Sequence, residues 1–241
     1  MTLPPTVGPD GPSPADLEAL GRAKDVLRDA VQTRRGMRTG PERERDDAAR
    51  FGHLRDFLAD DLGPGLVVAA YLSVEPEPST LAIVEWLHEH DVRVLLPLLG
   101  HHRDGTRRDG PDWAVYQGAG RLRLAVRDIP EPTAPALGPG AVAEASLILC
   151  PGLAATEHGD RLGTGGGWYD RALPYANDQA VTCLLLNDDE VMPSLPVQPW
   201  DRPVDLVITP PRIVNCMAQR MLAELPMSRV PQGGMGRRPG E

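Results

Sequence analysis

The sequence predicts an α/β protein: a doubly wound, largely parallel sheet with helices on both faces, in a single domain over residues 15–225. Three observations predict it. Short apolar runs at 66–71, 92–99, 145–150, 180–186 and 204–209 are strand-length and suit burial within a sheet. Stretches with apolar residues at helical spacing lie between them, and this alternation is the pattern of a parallel sheet covered by its crossover helices. A glycine-dense segment follows the 145–150 run, at the carboxyl end of a strand, where ligands bind in such sheets.

Taken in order, residues 1–14 hold five prolines and read as a disordered leader. Ser13 or Asp16 can cap a first helix running to about residue 34, with Leu17, Leu20, Lys24, Leu27 and Arg28 at helical spacings. Lys24 and Arg28 lie one turn apart on one face, so both cations can meet a single phosphate chain or form a solvated basic edge. A second helix, 42–61, carries Phe51, Leu54, Phe57 and Leu58 as a core stripe. Gly63-Pro64-Gly65 ends it, and the 66–71 strand follows. Residues 75–80 turn the chain, with Ser79 or Thr80 placed to cap a third helix, 81–90. After the 92–99 strand, His101-His102 belongs to a loop. Neither that pair nor His88-Glu89-His90 has the His spacing of a metal-binding helix. Residues 112–116 form a strand and 132–140 a linker. The 180–186 and 204–209 strands and a last helix, 213–225, complete the domain, and 226–241 reads as a disordered tail.

The segment after the 145–150 strand carries the chemistry. Pro151-Gly152 ends the strand, and Gly159, Arg161, Gly163, Gly165, Gly166 and Gly167 follow, then Trp168, Tyr169, Asp170 and Arg171. Glycines this dense let backbone N–H groups approach an anion closely, and a helix beginning near Tyr169 (169–173) would turn its positive end to the same spot. Arg161 adds a guanidinium suited to phosphate, and Asp170 can hold Mg²⁺ against it. No Gly-Lys-Ser/Thr follows, and the spacing is not G-x-G-x-x-G, so this is neither familiar phosphate loop. A plain glycine-rich turn is the competing reading.

Composition excludes several classes. A formal net charge of −9 gives no basic face for nucleic acid. Cys150, Cys183 and Cys216 are too few and too scattered for a disulfide framework or zinc site. No apolar run reaches membrane-span length and no signal peptide opens the chain. A cytoplasmic protein without membrane or nucleic-acid partners, acting as a monomer on small molecules, is expected.

The pattern P-G-L-A-x-x-x-x-G-x-R-L-G-x-G-G-G-x-Y-D-R resembles the signature of the 5-formyltetrahydrofolate cyclo-ligases, also called methenyltetrahydrofolate synthetases. The likeness extends over about residues 17–211. It includes the K-x-x-x-R pair Lys24 and Arg28, an E-x-x-T element at Glu77 and Thr80, and the R-V-L-L-P strand. Asp112-Trp113-Ala114-Val115-Tyr116 resembles an L-x-W-A-x-Y strand of actinobacterial-type members. The I-x-E-P run at Ile129, and Asp201 with Val204-Asp205 in place of H-D-x-x-V-D, complete the set.

The resemblance implies an enzyme that uses ATP and Mg²⁺ to cyclise 5-formyltetrahydrofolate to 5,10-methenyltetrahydrofolate. It implies that Lys24, Arg28, Arg161, Leu162, Gly163, Thr164, Gly165, Gly166, Gly167, Trp168 and Tyr169 hold ATP. Lys24, Arg161 and Tyr169 then serve catalysis, Glu77, Trp113, Tyr116 and Tyr169 face the folate, and Asp170 and Asp201 hold the metal. By residue type alone, Trp113 and Tyr116 are equally suited to stacking on a pterin and to filling a core. Departures are Ala155 and Thr156, where many members have an aromatic residue and often Asp, Trp200 for His, and W-Y-D for Y-Y-D. They leave the phosphate loop and both carboxylates intact and bear on the folate side of the pocket. A non-catalytic nucleotide- or folate-binding paralogue is the alternative, and a sugar-phosphate isomerase on the same fold a more distant one.

Overall fold

Apolar strands at the centre and charged helices outside follow directly from the residue pattern, and the structure, a computed structural model, describes residues 12–102 and 105–223. The predicted tail lies outside the described residues, as does the predicted leader up to residue 11. Helix α1 (Pro14–Gly36) starts in a capping box: the Asp16 amide donates to the Ser13 hydroxyl at 3.2 Å, and the Ser13 amide to the Asp16 carboxylate at 3.0 Å. Helix α2 (Gly40–Phe57) starts in a second, built by Thr39 and Glu42. Its Leu54 is buried and Phe51 packs edge-on against Trp86, but Phe57 is exposed rather than core.

The main sheet combines β1 (Val67–Ala69), β2 (Arg93–Pro97), β3 (Trp113–Val115), β6 (Leu147–Cys150), β9 (Val181–Leu185), β10 (Leu206–Ile208) and β11 (Ile213–Asn215). Two hairpins stand apart from it: β4 (Leu122–Leu124) with β5 (Pro130–Pro132), and β7 (Ala154–Ala155) with β8 (Arg161–Leu162). The order is β11-β10-β9-β6-β1-β2-β3, parallel from β10 to β2 with an antiparallel strand at each edge. From β1 the chain runs outward to β2 and β3, then returns to β6 on the other side of β1. The crevice between the ends of β1 and β6 is therefore the topological switch point.

Both faces are covered, as predicted. Val68, Val94, Leu96, Leu147 and Leu149 pack under α2 and α3 (Leu81–Glu89). Ala69, Leu95, Ile148, Cys150 and Leu184 pack under the short α4 (Trp168–Ala172), the start of α5 (Cys216–Ala223) and the 3₁₀ segment Pro139–Glu144. The three cysteines are buried and free; burial pushes the Cys150 thiol up to about 12. No helix among the described residues is long and apolar enough to cross a membrane.

Three expectations need correction. The segment 213–225 does not begin as helix: Ile213 and Asn215 are exposed while Val214 is buried, a period of two, and they pair with β10. The helix starts only at Cys216, with the Ala218 amide donating to Asn215 Oδ1 at 2.9 Å. Thr80 makes no capping bond to α3. Its hydroxyl donates to the Tyr71 carbonyl and accepts the Ser73 amide, tying the end of β1 to the helix start. The helix after the glycines has five residues, too short for the dipole argument to carry weight, and Gly167 precedes it in the left-handed conformation.

Candidate active site

Helix α1 does not lie on the sheet. Its inward stripe, Lys24, Arg28, Val31 and Arg35 at helical spacing, faces the β7–β8 hairpin, where Val31 meets Leu153, Ala154 and Leu162. Val31, with Leu27 packed beside it, docks the helix, and Lys24 and Arg28 on the preceding turns are carried to the switch point. There a cavity of about 310 Å³ opens. Tyr71, Leu72 and Glu77 enter it from the loop after β1, Pro97 and Leu99 from the end of β2, and Ile129 from the β4–β5 hairpin. Lys24, Arg28, Pro151, Arg161, residues 163–170, Gln198, Trp200 and Asp201 complete it.

Each cation is paired. Lys24 Nζ donates to Asp201 Oδ2 at 2.5 Å and Gln198 Oε1 at 2.9 Å. Arg28 Nε donates to the Gly163 carbonyl at 2.9 Å, and its Nη1 to Asp25 at 2.5 Å. Arg161 pairs with Asp170 and reaches the Pro151 carbonyl at 3.4 Å, while its buried Nε has no partner among the described residues. A Cβ at Gly163 would lie 3.3 Å from Arg161 Nη1, and Gly165 has φ +98°, so the close guanidinium approach and the backbone path both select glycine. The amides of residues 163–167 donate to no protein acceptor among the described residues.

Nucleotide phosphates fit this donor set: three cations and a strip of free amides line one cavity. For metal the fit is narrower. No group of three or more metal-ligating side chains converges among the described residues. Asp170 and Asp201 offer one carboxylate each, which suits Mg²⁺ with its remaining ligands from phosphate and water.

The structure brings together Lys24, Arg28, Glu77, Arg161, Asp170, Asp201 and residues 163–169. It does not bring three others. Trp113 is fully buried behind the cavity wall, edge-on to Trp168 at 4.9 Å and to Tyr169 at 6.3 Å. Tyr116 lies in the core on the other face of the sheet, edge-on to His88 at 5.2 Å. Both aromatics are core: Trp113 is covered by Trp168 and Tyr169 on one face of the sheet and Tyr116 packs on the opposite face, so neither lines the cavity. The Leu162 side chain packs into the cluster under α1 and leaves only its backbone near the loop. Tyr169 is buried with its hydroxyl 3.5 Å from the Ala70 carbonyl, and burial holds its pKa well above the usual phenol range. The Glu77 carboxyl is likewise pushed up, mainly by burial, against the Val74 amide at 3.1 Å and the charge of Arg35.

Other site residues carried no motif. Tyr71 and Leu72 follow from the end of β1; Gln198 had no signal. Glu131 of the I-x-E-P run is structural: its buried carboxylate accepts the Leu99 and Gly100 amides at 2.8 Å each and Arg123, fixing the hairpin that carries Ile129. Arg35 lies below the floor, with Nε and Nη2 each 2.8 Å from Glu190 and Nη2 2.9 Å from the Gly152 carbonyl. It fixes the turn from which the β7–β8 hairpin springs.

A model of the 5-formyltetrahydrofolate cyclo-ligase family matches residues 21–210. The 5-formyltetrahydrofolate cyclo-ligase of Mycolicibacterium smegmatis is 36 % identical over 191 residues, covering 79 % of this chain and 95 % of that protein. That of Escherichia coli K12 is 29 % identical over 147 residues, covering 61 % and 79 %. In fold, the chain is similar to the 5,10-methenyltetrahydrofolate synthetase of Aquifex aeolicus, with TM-score 0.67, 22 % identity and coverage of 80 % and 92 %. The Mycoplasma pneumoniae protein of the same name gives TM-score 0.59, 20 % identity and coverage of 78 % and 98 %. With most of its length matched and the shared motif residues gathered round one cavity, the chain belongs to the 5-formyltetrahydrofolate cyclo-ligase family.

Proposed function

We propose that this cavity converts 5-formyltetrahydrofolate and ATP to 5,10-methenyltetrahydrofolate, ADP and phosphate, with Mg²⁺. The supporting observation is the union of two unlike halves at the switch point. One half is cationic, with Lys24, Arg28, Arg161 and the glycine amides. The other is largely apolar, with Tyr71, Leu72, Leu99, Ile129 and Trp168 around the buried-side carboxyl of Glu77. The first suits a triphosphate and the second a reduced pterin with one polar edge.

A formyl group on nitrogen is an amide: a poor electrophile whose oxygen leaves badly. Transfer of the γ-phosphoryl to that oxygen gives an iminium-like carbon bearing a good leaving group. The neighbouring aryl-amine nitrogen then forms the new C–N bond, the C–O bond breaks, and phosphate departs as that nitrogen loses its proton. Ring closure is intramolecular, so orientation can supply up to about 7–11 kcal/mol. Lys24 and Arg161 would neutralise charge on the transferring group, Arg28 would hold the preceding phosphates, and Tyr169 would separate the two substrates. Mg²⁺, held by Asp170 and Asp201, would withdraw charge from the phosphates when bound. Glu77 would grip the folate.

The test follows the absorbance of methenyltetrahydrofolate. Product that grows only with 5-formyltetrahydrofolate, ATP and Mg²⁺ together supports the proposal. Growth without ATP overturns the phosphorylation step, and tight ligand binding without product favours the non-catalytic alternative.

A further inference from the structure

Trp200 stands at the mouth of the cavity, 56 % exposed. Its ring packs against no other aromatic ring among the described residues. Hydrophobic burial therefore does not account for its position. The turn beneath it is nevertheless pinned. The Asp201 amide donates to the Gln198 carbonyl at 3.0 Å, and the Gln198 amide to Asp201 Oδ2 at 2.7 Å. Lys24 donates to both side chains, and Gln198 Nε2 reaches the Leu17 carbonyl at 3.4 Å. These bonds fasten the turn to α1 on both sides of the indole. A flat apolar ring is thus held on a fixed backbone, one residue from the Lys24–Asp201 pair and at the cationic end of the cavity.

Aromatic faces stack on any base, whereas fixed cations bind phosphates without regard to the base, and the two together make a nucleotide site. The geometry points to Trp200 as the platform on which the nucleobase of ATP stacks, a base-binding residue on the nucleotide side. The inference rests on the nucleotide reading of the cavity given above. It also moves one departure from the family pattern: Trp200 stands beside the phosphate cations, not on the folate side.

Calorimetric titration of the full chain with ATP and with tripolyphosphate, which carries the charge without the base, tests it. Wild type, Trp200→Ala and Trp200→Phe are compared. Trp200→Ala is expected to weaken ATP roughly tenfold while tripolyphosphate stays within about twofold, and Trp200→Phe to restore most of the loss. Unchanged ATP affinity in Trp200→Ala overturns the inference and leaves the proposed function standing. An equal loss for both ligands also overturns it, since the effect would then come from the turn. Wild type that binds neither ligand fails the nucleotide reading itself, and the platform with it.

Discussion

The Arg161 side chain is 4 % exposed, and Asp170 is its one ion-pair partner among the described residues. Asp170→Asn keeps the shape and removes the charge, leaving a guanidinium in the interior with the Pro151 carbonyl. Loss of such a partner costs about 1–3 kcal/mol, nearer the lower end because the Asp170 carboxylate is itself a third exposed. Turnover should fall on the order of 10²–10³ as charge stabilisation is lost, with a Tm several degrees lower. An unmoved Tm would show that other groups hold the Arg161 charge. Glu77 gives the opposite sign. Its raised carboxyl binds a proton in the folded chain at pH values where the unfolded chain has lost it, so stability falls as pH rises between the two. Glu77→Gln, neutral throughout, should therefore gain Tm relative to wild type as pH rises above the ordinary carboxylate range. A constant difference would mean that Glu77 titrates as in the unfolded chain. Arg161 and Asp170 were legible in the sequence because they flank the glycine run, whereas Lys24 and Arg28 read equally well as a solvated edge and became site candidates only through the family resemblance. Trp113 and Tyr116 were not legible, since an indole or phenol suits wall and core equally and only the packing decides.

The β7–β8 hairpin, with the glycine loop after it, is the element that makes the site. Gly159 at its turn has φ +94°, and a Cβ there would meet the Val204 carbonyl at 2.2 Å. Gly159→Ala combines backbone strain with a clash against main chain and should cost about 3 kcal/mol or more. Gly166 has nothing within 4 Å of the same position, so Gly166→Ala should stay within about 1 kcal/mol of wild type. Urea midpoints separate the two; equal losses would mean that the loop glycines share one role. Behind the hairpin, Glu190→Gln strands the buried Arg35 and should cost about 3–5 kcal/mol, whereas replacing both partners by apolar residues of like volume should recover much of it. If the double replacement is no better than the single one, the pair itself is required. The sequence shows the glycines but not the hairpin: two-residue strands have no periodicity to detect. The misread start of the last helix has the same origin, since one buried residue between two exposed ones is too short a pattern to outweigh the helical stretch after it.

For the whole molecule, alternation of apolar runs and helical segments sufficed to predict the parallel sheet and its covered faces. Strand order was beyond it, and strand order is what places β1 beside β6 and so locates the cavity. Net charge then decides how ligands arrive. The chain carries −9, and all three cations of the site are matched by carboxylates. A polyanion meets no long-range attraction, so its association rate by stopped flow should not fall as salt rises; a steep fall would reveal an uncompensated positive field.

Three unmatched cations around a glycine bend would push one another apart and splay it. With Asp25, Asp170 and Asp201 standing opposite, the bend keeps its working shape while waiting. On the function proposed above, binding would be a change of partners: phosphate oxygens would take over the cations, and the released carboxylates of Asp170 and Asp201 would turn to the divalent ion. Metal and nucleotide would each find their ligands freed by the other, so neither alone should be welcomed as warmly as the two arriving together.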